Sequence, residues 1–588
     1  MENNSSGRFK HLLPILRKYQ GYLWLGAVAT IFANVLVLIV PYLVKLAFEA
    51  VEAGRPASEI FHLCLYMVIL AVVGGVFRFG MRRTIIWASR KAEFNIRNIL
   101  FEKFLSLDQS YYHNTKTGDL MAHSTNDVEA VRMMIGPGTM HILNAIVSVT
   151  VSVGFMVTLS LKMTVYAILP LILLSFVVNR IGTIVHRRFL VIQEHFSFLT
   201  TRVQENLAGV RVIKAYRRED SEIERFGGVS RRYATMNLSM ARVVGLFHPM
   251  IFGIAGLVSL MILYVGGTEI NSQKITLGTL VAFFGYLGWL TWPMMALGWV
   301  VSLYQRGMAS LGRINKILNT KAKVEDPAVP DAKAGEIKGR IEFKNLTFNY
   351  PGSDDDEPVL QNIDLTIEPG MRVGLTGPTG SGKTTLVSLI PHLFTAESGQ
   401  LFIDNIDVNL WPLKYLRRGV GFVPQETFLF SNTLENNIDL GNDRSDADDI
   451  VKVADLAALH KDVESFPGGY ETILGERGIT LSGGQKQRTA LARAIIRRPS
   501  ILILDDATSS VDTETEDEIF TRLQKVFPGR TSIIISHRVA SLKGCDLIVY
   551  LEGGIIAEQG THDELLARRG PYAALYRRQL KEAELDSM

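Results

Sequence analysis

The chain runs to 588 residues, too long for a single domain of ordinary size. Its 62 Lys and Arg nearly balance 58 Asp and Glu, leaving a net charge of +4, and no basic stretch is interleaved with aromatics, so a nucleic-acid groove is not expected. The two cysteines, Cys64 and Cys545, fall in different halves of the chain, which argues against a disulfide framework.

The opening residues, MENNSSGRFK, have neither the layout of a cleaved signal nor that of an Arg-rich transit peptide. Residues 8–20 set Phe9, Leu12, Leu13, Ile15 and Leu16 among Lys10, Arg17 and Lys18. This predicts either a short amphipathic helix at the cytoplasmic membrane surface or a plain basic lead-in to a span. Six uncharged stretches follow, at 21–44, 60–77, 133–161, 163–179, 243–268 and 275–305. Crossing ~30 Å of hydrocarbon takes about 20 apolar residues. Four runs exceed that length, and the second and fourth reach it only with flanking residues. Little more than Lys162 parts the third from the fourth, which predicts a tight hairpin.

Loop charge orients these runs. Residues 78–132 carry nine Lys or Arg and residues 180–242 carry twelve, whereas the opposite loops hold only Lys45, Arg55, Lys162 and Lys274. By the positive-inside rule both long loops and both termini are cytoplasmic. The long loops lack Pro and keep a helical period, as in Val203, Leu207, Val210 and Lys214, which predicts helices continuing beyond the bilayer. The sixth run is rich in aromatics and Met. Phe284, Trp289, Trp292, Met294 and Met295 suit either a cavity for apolar or amphipathic compounds or lipid-facing bulk. His248, in the fifth run, is either a substrate contact or a hydrogen-bonded packing residue.

A linker rich in Lys, Ala, Pro and Asp, residues 319–337, leads into a half that reads as soluble α/β, residues 338–588. After a strand at 373–376 comes Gly377, Pro378, Thr379, Gly380, Ser381, Gly382, Lys383, Thr384 and Thr385. The spacing is that of a P-loop. Its glycines let backbone N–H groups wrap phosphates, Lys383 meets the β/γ-phosphates, and the Thr384 hydroxyl binds Mg²⁺. Further on, Leu481, Ser482, Gly483, Gly484 and Gln485 open a helix, a second anion-binding geometry. The apolar strand 501–504 then ends in Asp505 and Asp506, carboxylates placed for Mg²⁺ and for an attacking water.

This series of motifs resembles the ATP-binding-cassette transporters, in particular exporters with six spans before each cassette, and the resemblance covers essentially the whole chain. The fold class it implies is a multi-domain chain: an all-α six-helix transmembrane domain (21–318) followed by an α/β P-loop NTPase domain. By the same resemblance, Tyr350 matches the residue that stacks on adenine. Gln425 matches the glutamine that senses Mg²⁺, so that Thr384, Gln425 and Asp505 form the metal set. Leu481–Gln485 matches the signature that completes a partner's ATP site, Ser509–Asp512 the D-loop, and His537 the switch histidine. Glu476 falls in a loop similar to the one that contacts intracellular helices; Gly118, Asp119 and Leu120, with Gly209, Val210 and Arg211, fall in regions similar to the coupling helices. ATP and Mg²⁺ are the implied cofactors. The implied partner is a second half-transporter chain, because each ATP lies between one chain's P-loop and the other's signature. Asp506 departs from the family, which usually has Glu there as general base. Such a change is typical of heterodimers, so a heterodimer is favoured over a homodimer. The expected activity is ATP-driven export of drug-like or lipid amphipaths from a bacterial inner membrane. The alternative is an ATP-gated channel or a regulatory module with slow turnover.

Overall fold

The computed structural model describes residues 9–351, 357–442, 445–526 and 528–586. The chain divides into two compact units: Met1–Leu105 with Gly118–Thr320, and Ser106–Thr117 with Lys321–Met588. The division near residue 320 falls at the start of the expected linker. Ser106–Thr117 differs from expectation: it lies inside the first long charged loop in sequence yet groups with the second unit.

The first unit is helical throughout. Its longest helices are Ala57–Ser106 with 50 residues, Leu161–Ala208 with 48, Glu219–Asn271 with 53 and Leu277–Asn319 with 43. At 1.5 Å per residue each exceeds about 60 Å, twice the ~30 Å of a hydrocarbon core. The expected helical continuation of the long loops is therefore present. Among the described residues, four helical stretches are long and apolar enough to cross a membrane: Gln20–Glu52, Ala57–Ser106, Thr117–Leu159 and Phe252–Asn271. The fourth and sixth runs enter as shorter apolar helices, Leu161–Pro170 and Leu277–Leu290. At the hairpin between the third and fourth runs, Ser160 caps the second helix through Met163 N–H at 3.4 Å. Beside it Lys162 pairs with Glu269 at 2.8 Å.

The N-terminal helix is Leu12–Lys18. Leu12 and Ile15 are buried among Ile96, Leu100, Val128, Leu311 and Ile314, so its apolar face is covered by protein. Two π-helical turns, His123–Asp127 and Met134–Gly138, interrupt the helical stretch that starts at Thr117.

The second unit carries two sheets. An antiparallel one has the order β2-β1-β4-β5, from Ile341–Phe348 (β1), Leu360–Ile367 (β2), Leu401–Ile403 (β4) and Ile406–Asp407 (β5). The other has the order β10-β9-β3-β8-β7-β6. Its strands are Arg372–Thr376 (β3), Val420–Val423 (β6), Ile501–Asp505 (β7), Thr531–Ile535 (β8), Leu547–Glu552 (β9) and Ile555–Gly560 (β10). All its pairings are parallel except β9 with β10. Every residue of β7 is buried, as a parallel strand covered on both faces requires. Alternation sends Ile501 and Ile503 to one core and Leu502 and Leu504 to the other.

Candidate nucleotide and substrate sites

That alternation positions Asp505, the carboxylate expected to meet the metal. Asp505 follows Leu504 and turns to the face of Ile501 and Ile503, where Leu386, Val387 and Leu389 of the helix Lys383–Leu389 also pack. Thr384 is at the start of this helix, and its hydroxyl hydrogen-bonds Asp505. Four neighbouring parallel strands, β3, β8, β7 and β6, end side by side, and the predicted residues follow those ends: Gly377, His537, Asp505 with Asp506, and Gln425. Ligands of open parallel sheets bind at such carboxyl ends.

The residues enclose a cavity of about 250 Å³, lined by Thr379–Thr385, Gln425, Asp505, Asp506 and His537 together with Val359 and Ile535. Gly377 and Pro378 line a neighbouring cavity of about 480 Å³ that also meets Thr379, His537 and Gln579. Three P-loop glycines, Gly377, Gly380 and Gly382, have positive φ, and at two of them a Cβ would also clash. Gly377 has φ +141° and a Cβ there would sit 2.0 Å from Leu551 O; Gly382 has φ +95° and a Cβ would sit 2.6 Å from Leu360. Lys383 is buried, and its Nζ donates to Gly377 O (3.0 Å), Pro378 O (2.7 Å) and Ser381 Oγ (3.2 Å). Burial lowers its pKa against the pull of Asp505 and Asp506. Burial raises that of Asp505, with Asp506 adding to the shift while the Thr384 hydroxyl and Lys383 oppose it.

Asp505 is 1% exposed, and its Oδ2 is buried without a hydrogen-bond partner. Such an orphaned oxygen, beside the Thr384 hydroxyl and the Gln425 amide, is a hard-oxygen donor set that fits Mg²⁺.

Tyr350 lies beside this cavity, not in its lining. Its hydroxyl and Thr385 Oγ1 are 2.9 Å apart, and its ring packs edge-on against Phe348 and Phe394. The His113 ring stacks on it, 5.3 Å between centroids at 13°. His113 ends the short helix Gln109–His113, capped by Asp108, and Asn114 Nδ2 donates to Pro351 O at 3.0 Å. These contacts explain why Ser106–Thr117 groups with the nucleotide unit. Gly118, Asp119 and Leu120, expected in a coupling region, follow in the helix Thr117–Ala122, with Leu120 buried. Gly209 precedes the helix Val210–Ala215, on which Val210 and Arg211 are exposed. Glu476 is exposed at the start of a 3₁₀ turn whose Arg477 has φ +53°.

The signature Leu481–Gln485 does not line the cavity of its own chain. Ser482 caps the helix Gly483–Ile495 in a reciprocal box: Gln485 N–H donates to Ser482 Oγ (3.3 Å) and Ser482 N–H to Gln485 Oε1 (3.0 Å). A Cβ on Gly484 would meet Ser510 O at 2.9 Å, so this end of the helix packs on the D-loop.

Two glutamines escaped the sequence reading. Gln487 donates to Asp506 O (3.3 Å) and Ser509 Oγ (2.9 Å) and accepts from Ser510 N–H (2.9 Å), tying the signature helix to the segment after β7. Gln579, in the helix Pro571–Asp586, donates to His537 O (2.6 Å) and accepts from Val539 N–H (2.9 Å). Gln487 lies two residues past the signature, a signal that could have been followed. Gln579 has no local signal.

In the membrane unit, Phe284, Trp289 and Trp292 line a cavity of about 550 Å³ together with Arg78, Arg82, His141, Asn34 and Asn144. The side chains of His248, Met294 and Met295 lie outside the described residues.

Residues 23–294 match the family model for the ABC transporter transmembrane region, and residues 360–509 match that for ABC transporter. The chain is 35% identical over 562 residues, 94% of each chain, to the "Probable multidrug resistance ABC transporter ATP-binding/permease protein YheI" of Bacillus subtilis (strain 168). It is 35% identical over 566 residues to the "Multidrug resistance-like ATP-binding protein MdlA" of Escherichia coli (strain K12), 96% of this chain and 95% of the relative. Among solved structures it is similar to a bacterial Atm1-family ABC exporter with ATP bound, with a TM-score of 0.77, 27% identity, and coverage of 96% of this chain and 98% of that one. With both regions matched in order and relatives aligned almost end to end, the chain belongs to the ABC transporters, as a half-transporter with membrane and ATP-binding domains fused.

Proposed function

We propose that the chain exports apolar or amphipathic compounds, drug-like or lipid, by alternating access driven by ATP binding and hydrolysis. The observation that carries this reading is the convergence of Lys383, Thr384, Gln425, Asp505, Asp506 and His537 on one cavity, in a chain whose other unit is built of long apolar helices. Lys383 neutralises phosphate charge, and the P-loop N–H groups orient the nucleotide. Thr384, Gln425 and Asp505 would hold Mg²⁺, which supplies further charge neutralisation on the phosphates. Asp506 takes the proton of the attacking water, and His537 faces the same space as a hydrogen-bonding group for the transferred phosphoryl.

The site is half of a composite. The chain's own signature lies away from its P-loop cavity, which supports completion by a second chain. Asp506 in place of the longer Glu supports a heterodimer in which this P-loop forms the slower site. The spread of Lys and Arg, nine and twelve in the two long loops, supports six spans with both termini and the cassette cytoplasmic, in a bacterial inner membrane. The test is ATP-dependent accumulation of a fluorescent amphipath in inverted vesicles. Uptake that Ser482→Arg abolishes is expected. An ATP-gated conductance without accumulation would replace export by the channel reading.

A further inference from the structure

On the reading of the membrane cavity as a substrate site, we propose that it selects anionic amphiphiles, holding a phosphate or carboxylate head between Arg78 and Arg82 and the apolar body against Trp289, Trp292 and Phe284. The two arginines are four residues apart on the helix Ala57–Ser106, hence on one face, about 6 Å apart along the axis. Like charges so spaced repel each other.

Arginines at the cytoplasmic end of a span are ordinary, and their partners distinguish these two. Further along the same helix Arg90 and Arg97 both pair with Glu93, at 3.0 and 2.9 Å. Among the described residues no carboxylate pairs with Arg78 or Arg82, and no Asp or Glu lines the cavity. The Arg78 guanidinium instead lies 5.7 Å from the centre of the Trp289 ring. Both arginines are exposed on this unit, and a cleft lined by one sign of charge draws ligands of the other. A planar guanidinium fork matches the paired oxygens of a phosphate or carboxylate. Asn34 and Asn144, bonded to each other at 3.0 Å, add neutral polar surface to the lining. A cavity of about 550 Å³ has the size of a site for a drug-sized molecule.

The test uses the full-length chain in zwitterionic nanodiscs and fluorescent amphiphiles that share one tail but carry a phosphate monoester, a phosphocholine or a trimethylammonium head. A tail-free anionic dye with the same fluorophore separates a lipid source from a soluble one. The phosphate probe is expected to bind about tenfold or more tightly than the cationic one, the equivalent of one charge-assisted contact. Arg78→Gln with Arg82→Gln is expected to erase that preference, and Arg78→Glu with Arg82→Glu to reverse it. Equal or tighter binding of the cationic probe to the unmodified chain overturns the proposal whether or not the variants fold, and so does a preference that survives in folded variants. Selective anion binding without ATP-dependent transport of any probe would uphold the site and remove the export reading. Transport confined to cations would do the reverse.

Discussion

Asp506 leaves β7 with φ +48°, in the left-handed region that Asp tolerates better than most side chains. Its backbone is pinned on both sides: its N–H donates to Ile535 O at 3.1 Å, and its carbonyl accepts from Gln487 Nε2. With the backbone fixed, the position of the carboxylate is set by side-chain length. Asp506→Glu adds one methylene of reach, and phosphate release by the reconstituted chain is expected to rise about 10- to 100-fold. Unchanged or lower turnover would mean that the shorter side chain already reaches the water. Gln579 acts as a positioning residue, holding the backbone that leaves His537 at the His537 carbonyl and the Val539 N–H. In Gln579→Leu, turnover by the chain reconstituted alone is expected to fall about tenfold as His537 loses its placement. Nucleotide binding should persist, because the P-loop makes no bond to Gln579. An equal loss of ATP binding and turnover would assign Gln579 to folding.

Between elements, the best-defined ionic junction joins the π-helical turn His123–Asp127 to the helix Leu277–Asn319. Asp127 is 6% exposed and accepts from His123 Nδ1 (2.6 Å), Ser310 Oγ (2.8 Å) and Arg313 Nε (2.9 Å). Burial by itself raises the carboxyl, but the bonds from Arg313, His123 and Ser310 outweigh it and hold the pKa down to about 2. A depressed carboxylate stabilises the fold above its unfolded pKa near 4, and the contribution disappears as pH falls through about 2. The shift corresponds to about 2 kcal/mol at neutral pH. Asp127→Asn is therefore expected to lower the thermal midpoint at pH 7, with a difference from the unmodified chain that shrinks between pH 4 and 2. A difference independent of pH would place the effect in packing. None of this junction was legible in the sequence, because a π turn and a pairing 186 residues apart leave no periodic trace. The P-loop was legible for the opposite reason. Gly377 and Gly382 are forced by local backbone geometry, and strict alternation along β7 carries Asp505 to the correct face. The same limit accounts for Ser106–Thr117. Its place in the nucleotide unit rests on His113 meeting Tyr350 and Asn114 meeting Pro351, contacts made across more than two hundred residues of chain.

At the scale of the whole molecule, the proposed function gives one chain two halves of different ATP sites. Its P-loop cavity contains Asp506, and its signature, capped by Ser482 and Gln485, does not line that cavity. Damage to each half should therefore be felt at a different site. Lys383→Ala removes the charge from the cavity containing Asp506. Ser482→Arg puts a cation and a bulky side chain at a helix N-terminus built to meet phosphate, and so disables the site on the partner's P-loop. In a heterodimer whose fast site is the partner's, Ser482→Arg should lower steady-state hydrolysis about 100-fold or more, the scale of losing one pre-organised phosphate contact. Lys383→Ala, which strikes the slow site, should leave a large fraction of turnover. In a homodimer every site carries one copy of whichever lesion is introduced, and both variants should be inactive. Phosphate release from the assembly purified from native membranes, with each variant compared at saturating ATP, separates the two cases. Equal loss would dismiss the heterodimer and leave Asp506 as a working base in two identical sites.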